Sequence, residues 1–449
     1  MVSILWSILF FVIAIGILVA VHEWGHFWVA RRFGVKVLQF NIGFGKPLWS
    51  TTDSLGTKYV IAAIPLGGYV RMLDERIDEV KPDERHLTFN SKTVLQRMAV
   101  FAAGPFVNLI FAAIVMYVVF LFGVATVKPI VGSVSPNSIA AQAGLPEGAE
   151  IATVGGKRTL DWEAVNFELV AHIGDPTITI AVKNAGTLTH RAYTLHVPDW
   201  QFDPSEESAL QFLGIVPFRP PITTEIGYIA KDSPAEQAGL QVNDKIIELQ
   251  GTSAQNWNQI VEFVAQRPNT TVGVMVERNG KNTPFMVAVG EHPNREGVGY
   301  LGVVPKSEPW PEEFRYTHQY GLFGSVFEAA KYTWRLITLS FDMLGKFITG
   351  DVSVKNLSGP ISIAQGAGTS AGYGLEYFLK FMALISVNLG IINLLPLPVL
   401  DGGHLLYHFI ELLRGKPVSE RVQEIGFRIG GVLILSLMAV ALFNDIMRL

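Results

Sequence analysis

Val19-Ala20-Val21-His22-Glu23-Trp24-Gly25-His26-Phe27-Trp28 closes a run with no charged residue from Met1 to Val21. On a helix, residues four apart stand one above the other on one face, so His22 and His26 present two imidazoles to one metal ion. Glu23 lies beside them, placed to take a proton from an attacking water. His-Glu-x-x-His alone is a moderate signal, and its setting sharpens it. An ionisable side chain inside a membrane-length apolar run costs about 2.5–3.5 kcal/mol at the helix centre on insertion scales. The alternative is a helix that has left the membrane by His22, with both histidines in an interfacial turn.

The whole chain shares this character. Of its 449 residues, 49% are hydrophobic and 16% charged, which suits several domains and is too apolar for an ordinary soluble protein. A formal net charge of −4 gives no basic field, and no nucleic-acid partner is expected. There is no cysteine, so disulfides and thiolate ligands are excluded and a metal must use His and carboxylate.

Spanning a bilayer takes about 20 apolar residues. Met1 to about Trp28, Met98–Val127 and Phe381–Leu400 qualify, and Ile429–Asn444 does so if Arg428 snorkels. The first run lacks the basic start of a signal peptide, so a retained transmembrane helix is expected. Arg31–Arg97 carries eleven Lys and Arg, and the residues before the first helix carry none. The positive-inside rule then puts that segment in the cytoplasm, and the N-terminus and the stretch from Lys128 to about Lys380 outside.

Within Arg31–Arg97, Val35–Ile42 alternates, and Thr57–Ala63 and Gly68–Met72 are also β-rich with Gly and Pro as punctuation, which predicts a small antiparallel sheet. Asp74–Arg85 reads as a solvated loop. Further on, Ser138, Ala140, Gln142, Ala143, Gly144, Leu145, Ile151, Gly156 and Trp162 recur 95 residues later as Ser233, Ala235, Gln237, Ala238, Gly239, Leu240, Ile246, Gly251 and Trp257. Leu213-Gly214-Ile215-Val216-Pro217 is echoed by Leu301-Gly302-Val303-Val304-Pro305. Two copies of one domain follow. The second copy resembles PDZ domains, and the first departs at Ala149, where the second has Asp244. Either the copies bind peptides by strand addition or they are spacers with closed grooves. Their histidines, His172, His190, His196 and His292, show no ligand spacing. Phe323, Phe327, Ala330, Trp334, Ile337, Phe341, Leu344 and Ile348 then mark an amphipathic helix, too charged to span, expected on the outer membrane surface or against the repeats. Ser358–Gly374 reads as a Gly/Ser/Pro-rich connector.

A catalytic zinc site usually has three protein ligands and an open position. Asp401 ends the third apolar run, and helices one and three end on the same face, so Asp401 can join His22 and His26. Pro396 and Pro398 break the third helix there and free backbone groups, which is tolerated at membrane depth only beside protein or water. His404, His408 and Glu411, spaced along one helix face, form a rival set.

With these residues in hand, the chain resembles the site-2 proteases, the intramembrane zinc metalloproteases. His22-Glu23-Trp24-Gly25-His26, Gly104-Pro105-Phe106-Val107-Asn108, the tandem PDZ-like repeats and Asn393–Gly403 with its Leu-Asp-Gly core carry the likeness over essentially the whole chain. The resemblance implies one Zn²⁺ held by His22, His26 and Asp401, with Glu23 as general base. It also implies substrate handling by Asn388 and Asn393, beside the helix-breaking Pro396 and Pro398, and a membrane-entering β-hairpin. That hairpin would offer Leu66–Arg71, with Gly67, Gly68, Tyr69 and Val70, as an edge on which the substrate is held by strand addition.

The expected fold is a polytopic α-helical membrane protein with four transmembrane helices, a membrane-associated β-hairpin and two extracytoplasmic PDZ-like α+β domains. Its expected parts are helix 1 (1–30), the cytoplasmic or membrane-entering β segment (31–97), helix 2 (98–127), the two PDZ-like domains (128–220 and 221–308), the amphipathic helix and connector (309–375), helix 3 (376–403), a cytoplasmic loop (404–426) and helix 4 (427–449). The expected activity is cleavage within the transmembrane segment of single-pass proteins, such as a trimmed anti-sigma factor or signal-peptide remnants, after an upstream site-1 protease has acted. The expected place is a bacterial inner membrane, with the active site near the cytoplasmic face, the PDZ-like domains periplasmic and acting as a size filter, and the lipid bilayer as a further partner. A PDZ-bearing scaffold with a structural metal, and a transporter relaying protons through His, Glu and Asp, are the other readings. Four spans are few for a transporter.

Overall fold

A computed structural model describes residues 4–184, 189–197, 200, 208–293, 295–350 and 352–448, without the side chains of 65, 66, 318 and 354. Among the described residues, four helices are long and apolar enough to cross a membrane: Ile4–Arg32, Val94–Phe122, Leu375–Leu394 and Glu420–Met447. Their ends differ from the apolar runs for local reasons. The second begins at Val94, before Met98, because Thr93 and Gln96 form a reciprocal capping box. It stops at Phe122, where Gly123 turns the chain at φ 87°. The third takes in Lys380, which pairs with Glu163 at 3.1 Å and Glu376 at 3.2 Å. It ends at Leu394, ahead of Pro396 and Pro398, and not at Leu400. The stretch 404–426 is not simply a loop, since Asp401–Arg414 is a helix closed by Gly415 in the left-handed region. The fourth helix starts at Glu420, with Arg428 paired to Glu424 at 2.6 Å, so its polar first turns are helical too.

The chain forms two compact units: residues 1–126, 134–215 and 317–449, and residues 127–133 with 216–316. In the first, Val37–Thr52 and Lys58–Met72 make a long folded-over hairpin. Residues 37–42 take partners on both flanks, from Val37 with Met72 to Ile42 with Gly68 on one side, and from Gln39 with Lys58 to Ile42 with Ile61 on the other. Residues 47–52 pair back onto 58–62, so the row of segments runs 47–52, 58–62, 37–42, 68–72. Residues 68–72 therefore end the row, with one flank free of any strand among the described residues. The tip is apolar and exposed at Phe44, Leu48, Trp49, Ile61 and Ile64, which suits lipid better than water.

The two copies fold alike. Ile139–Gln142, Glu150–Val154, Lys157–Arg158 and Trp162–Ala171 recur as Pro234–Gln237, Lys245–Leu249, Thr252–Ser253 and Trp257–Ala265, every start 95 residues on. In the second copy the sheet order is Lys281–Ala288, Thr271–Arg278, Lys245–Leu249, Ile222–Ile229 and Val303–Ser307, which leaves Val303–Ser307 at one edge. Asp244 there takes the Arg278 guanidinium through both oxygens at 2.6 Å, a bidentate pair. Ala149 in the first copy is simply buried.

The amphipathic helix is Leu322–Thr349. Its buried face is not the large apolar one. Ser325, Ala329, Thr333 and Leu336 are buried, and Ala329 and Leu336 pack with Val115, Met116 and Val119 of the second spanning helix and Ala383 and Val387 of the third. Phe323, Phe327, Trp334, Phe341 and Ile348 are exposed. Small residues allow close helix packing, and the exposed aromatic stripe suits a lipid surface. The same helix holds the first copy: Arg335 meets Glu168 at 2.7 Å, and the Tyr332 hydroxyl donates to Glu163 at 2.5 Å.

The expected connector Ser358–Gly374 contains a helix, Pro360–Tyr373. Its glycines read as loop by propensity, but tertiary contacts override that. A Cβ on Gly368 would come within 2.7 Å of the Ser7 Cα, and Trp6 Nε1 donates to the Gly368 carbonyl at 3.0 Å. Asp445, from the far end of the fourth spanning helix, accepts the Gly359, Ile361 and Ser362 N–H groups at the start of this helix.

Candidate metal centre

The first and second spanning helices cross at glycines. A Cβ on Gly25 would stand 2.6 Å from the Ala103 carbonyl oxygen, and one on Gly104 would stand 2.3 Å from His26 Nε2. This close approach buries His22, Glu23 and His26 and hands each imidazole a partner on the second helix. His26 Nδ1 lies 2.8 Å from the Val100 carbonyl, and His22 Nδ1 lies 3.2 Å from the Asn108 side chain.

Asp401 arrives from the other side. After Leu394 the chain turns through Leu395–Leu400, with the Leu397 N–H donating to the Leu395 carbonyl and the Leu400 N–H to the Leu397 carbonyl. Pro396 and Pro398 have no N–H to leave unpaired. A Cβ on Gly402 would fall 2.2 Å from the Leu395 oxygen, and one on Gly403 would fall 2.3 Å from the Leu397 oxygen. The two glycines thus let the helix start tuck beneath these carbonyls, with Asp401 in its first turn, where the helix dipole favours an anion.

The result is a triangle. His22 Nε2 and His26 Nε2 are 3.2 Å apart, and Asp401 Oδ2 lies 3.1 Å from the first and 3.4 Å from the second. Tetrahedral ligands about 2.0–2.1 Å from a metal are separated by about 3.3 Å, so the spacing fits one ion. The donors fit as well. A carbonyl can only accept, so His26 carries its proton on Nδ1 and turns a lone pair at Nε2 into the triangle. Asp401 Oδ2 is buried with no hydrogen-bond partner. The His26 Nε2 lone pair and Asp401 Oδ2 converge there, and a cation would satisfy both.

The rival set is otherwise engaged. Glu411 pairs with Arg97 at 2.8 Å and with His408 at 3.1 Å. His404 stacks flat on Phe101 at 4.4 Å, with burial pushing the ring down to about 4. Among the described residues, His22, His26 and Asp401 form the one group with metal-ligand spacing.

The residues expected at the substrate divide. Gly68 touches the site: a Cβ there would come within 2.9 Å of the Glu23 Cγ and of Val19. The free strand edge therefore runs beside the candidate base. Gly67 sits under the Phe44 ring, which stacks on Tyr69 at 6.4 Å; Val70 is half-buried on the same edge, and of Leu66 only the backbone is described. Pro398 packs where Cβ atoms on Gly426 and Gly430 of the fourth helix would come within 3.2 Å. Asn388 accepts from Ser340 Oγ of the amphipathic helix at 2.8 Å, and Asn393 is half-buried in the last turn of the third helix. What the glycines do is visible only in space. Only the contacts show that Gly104 makes room for the imidazoles and that Val100 and Asn108, four residues to either side, serve them.

The family model described as peptidase family M50 matches residues 10–437. A Vibrio cholerae protein that carries the name of a zinc metalloprotease is 49% identical over 452 residues, with 100% of both chains covered. Protease RseP of Yersinia pestis is 50% identical over 456 residues, again with 100% of both covered. The regulator of sigma-E protease RseP of Escherichia coli K12 is 49% identical over 450 residues with the same full coverage.

Proposed function

The chain belongs to peptidase family M50 and is an intramembrane zinc metalloprotease of the site-2 type, and we propose that it cuts single-pass membrane helices at one Zn²⁺ held by His22, His26 and Asp401. The observation that carries this reading is the buried triangle of acceptors with Glu23 and a free strand edge beside it. When bound, zinc polarises the scissile carbonyl and lowers the pKa of the attacking water to about 7. Glu23 takes the proton and passes it to the leaving amine. Burial of Glu23 and both histidines keeps bulk water away, which strengthens each of these interactions. The direct test is metal content together with cleavage of a single-pass helix by the purified protein in detergent or vesicles. A chelator should abolish cleavage and added zinc restore it. Cleavage indifferent to the chelator would sink the metal reading.

A helix shields its own peptide bonds, and unwinding one in hydrocarbon leaves N–H and C=O groups that cost several kcal/mol each. Residues 68–72 supply partners, holding the unwound segment as an added strand against Glu23. The Leu73 N–H donates to Lys36 across the hairpin, and alternation along the strand then turns the Tyr69 N–H inward and the Val70 N–H to the free flank. At matched levels of folded protein, Val70→Pro should slow cleavage of an intact helix more than Tyr69→Pro. A substrate already broken by Gly or Pro at its cut site should regain part of the loss. Equal rates for wild type and both variants would show that the substrate is not held here.

The tandem copies are PDZ-like, and the edge strand Val303–Ser307 suits peptide addition. They carry no catalytic constellation among the described residues. We place them on the periplasmic side of a bacterial inner membrane, where they exclude substrates whose outer domain a site-1 protease has not yet removed. The name of the Escherichia coli relative ties it to regulation of sigma-E, and an anti-sigma factor is a substrate of the class proposed for this chain. Deleting Ile130–Pro305 should leave hydrolysis intact while full-length, untrimmed substrates begin to be cut. Loss of all cleavage by a stably inserted deletion protein would contradict a filter.

A further inference from the structure

An imidazole that ligates through Nε2 must carry its proton on Nδ1, and that N–H then needs an acceptor. The Val100 carbonyl meets the need for His26 at 2.8 Å. For His22 the facing group is the fully buried Asn108 side chain, with Nδ2 set 3.2 Å from Nδ1 and Oδ1 buried without a partner. In that setting two N–H donors meet once His22 Nε2 gives its lone pair to a metal. The two ends of an amide have the same shape, so half a turn about Cβ–Cγ exchanges them without displacing a neighbour.

We propose that Asn108 is a positioning residue of the hydrolytic site: with metal bound, its Oδ1 accepts from His22 Nδ1, fixes the ligating tautomer and aims Nε2 at the ion. The placement supports this. Val100, Gly104 and Asn108 stand four apart on one face of the second spanning helix, so that face offers an acceptor, a gap for the rings and a second acceptor. Ser386 Oγ donates to the Asn108 carbonyl at 2.8 Å and ties this turn to the third spanning helix.

The inference rests on the metal reading above, and its test separates the two. Zinc affinity is measured on the full-length solubilised chain by competition with a chelator, alongside the visible d–d bands of the cobalt-loaded protein. Asn108→Leu should weaken zinc by about 10–100-fold, the usual effect of losing an outer partner, and shift the cobalt bands. Asn108→Asp, whose two oxygens can only accept from an N–H, should keep wild-type affinity and bands. Ser386→Ala, which loosens the same turn without touching the ring, should keep them too. Wild-type affinity in Asn108→Leu, an Asp variant as weak as the Leu variant, or an equal loss in Ser386→Ala would overturn the role of Asn108. A wild-type chain that takes up no zinc would overturn the metal site itself.

Discussion

Glu23→Gln leaves zinc bound and lowers cleavage of a single-pass helix by about 10²–10⁴-fold, the usual contribution of a positioned general base. The substitution keeps the shape of a side chain that packs against Gly68 and is buried beside both histidines. It removes only the ability to take a proton. The three atoms of the triangle belong to His22, His26 and Asp401, so zinc content should not fall. Metal analysis and a cleavage assay on one preparation check both halves. A Gln variant that cuts at the wild-type rate refutes the role of Glu23 as base. A variant that loses zinc would make Glu23 a ligand. The scaffold reading predicts no effect on any reaction, since a structural metal has no use for a carboxylate between its ligands.

The sequence carried much of this because the chemistry is local there. His22, Glu23 and His26 sit within one helical turn, and period alone puts the two rings on one face. Asp401 was legible by a different route, from the ends of helices one and three sharing a side. The third helix was legible at its start, where the expected 376 stands one residue from Leu375 even though Lys380 interrupts the apolar run, but not at its end. Its end was extended to Leu400 because apolarity persists past the prolines that stop the helix.

Other features were hidden because they are made by distant partners. Helix propensity makes Pro360–Tyr373 look like loop; what holds it is Asp445 capping its start and Ser7 packing on Gly368. The amphipathic helix was found by its large apolar side chains, yet it packs through Ser325, Ala329 and Thr333. Beside a membrane the usual sign of an apolar face reverses, because lipid accepts the large side chains and helices pack through the small ones. Gly104 illustrates the same limit. In sequence it stands in a motif whose likeness gives no role to the glycine; in space it is the gap that both imidazoles occupy.

Asp401→Ala should lose most of its zinc, and His404→Ala should keep it. Two imidazoles on one helix remain in the Asp401→Ala protein, with no carboxylate to complete the triangle or balance the ion's charge. The affinity loss should exceed the roughly 10–100-fold that removal of an outer partner costs. His404 stands only three residues further on, but its ring stacks on Phe101 and tilts against Phe427 at 5.4 Å. Removing it should appear as about 0.5–1.5 kcal/mol of stability per lost ring contact and not as lost metal. Since the Ala substitution also disturbs a helix start, Asp401→Asn provides the second arm. It keeps the shape and one carbonyl oxygen, loses the charge, and should bind zinc between wild type and Asp401→Ala. Zinc measured by metal analysis after dialysis against a weak chelator ranks the four proteins. If His404→Ala were the one stripped of zinc while both Asp401 variants held it, the ion would sit with His404 and His408. Glu23 would then no longer lie between the ion's ligands in the chain.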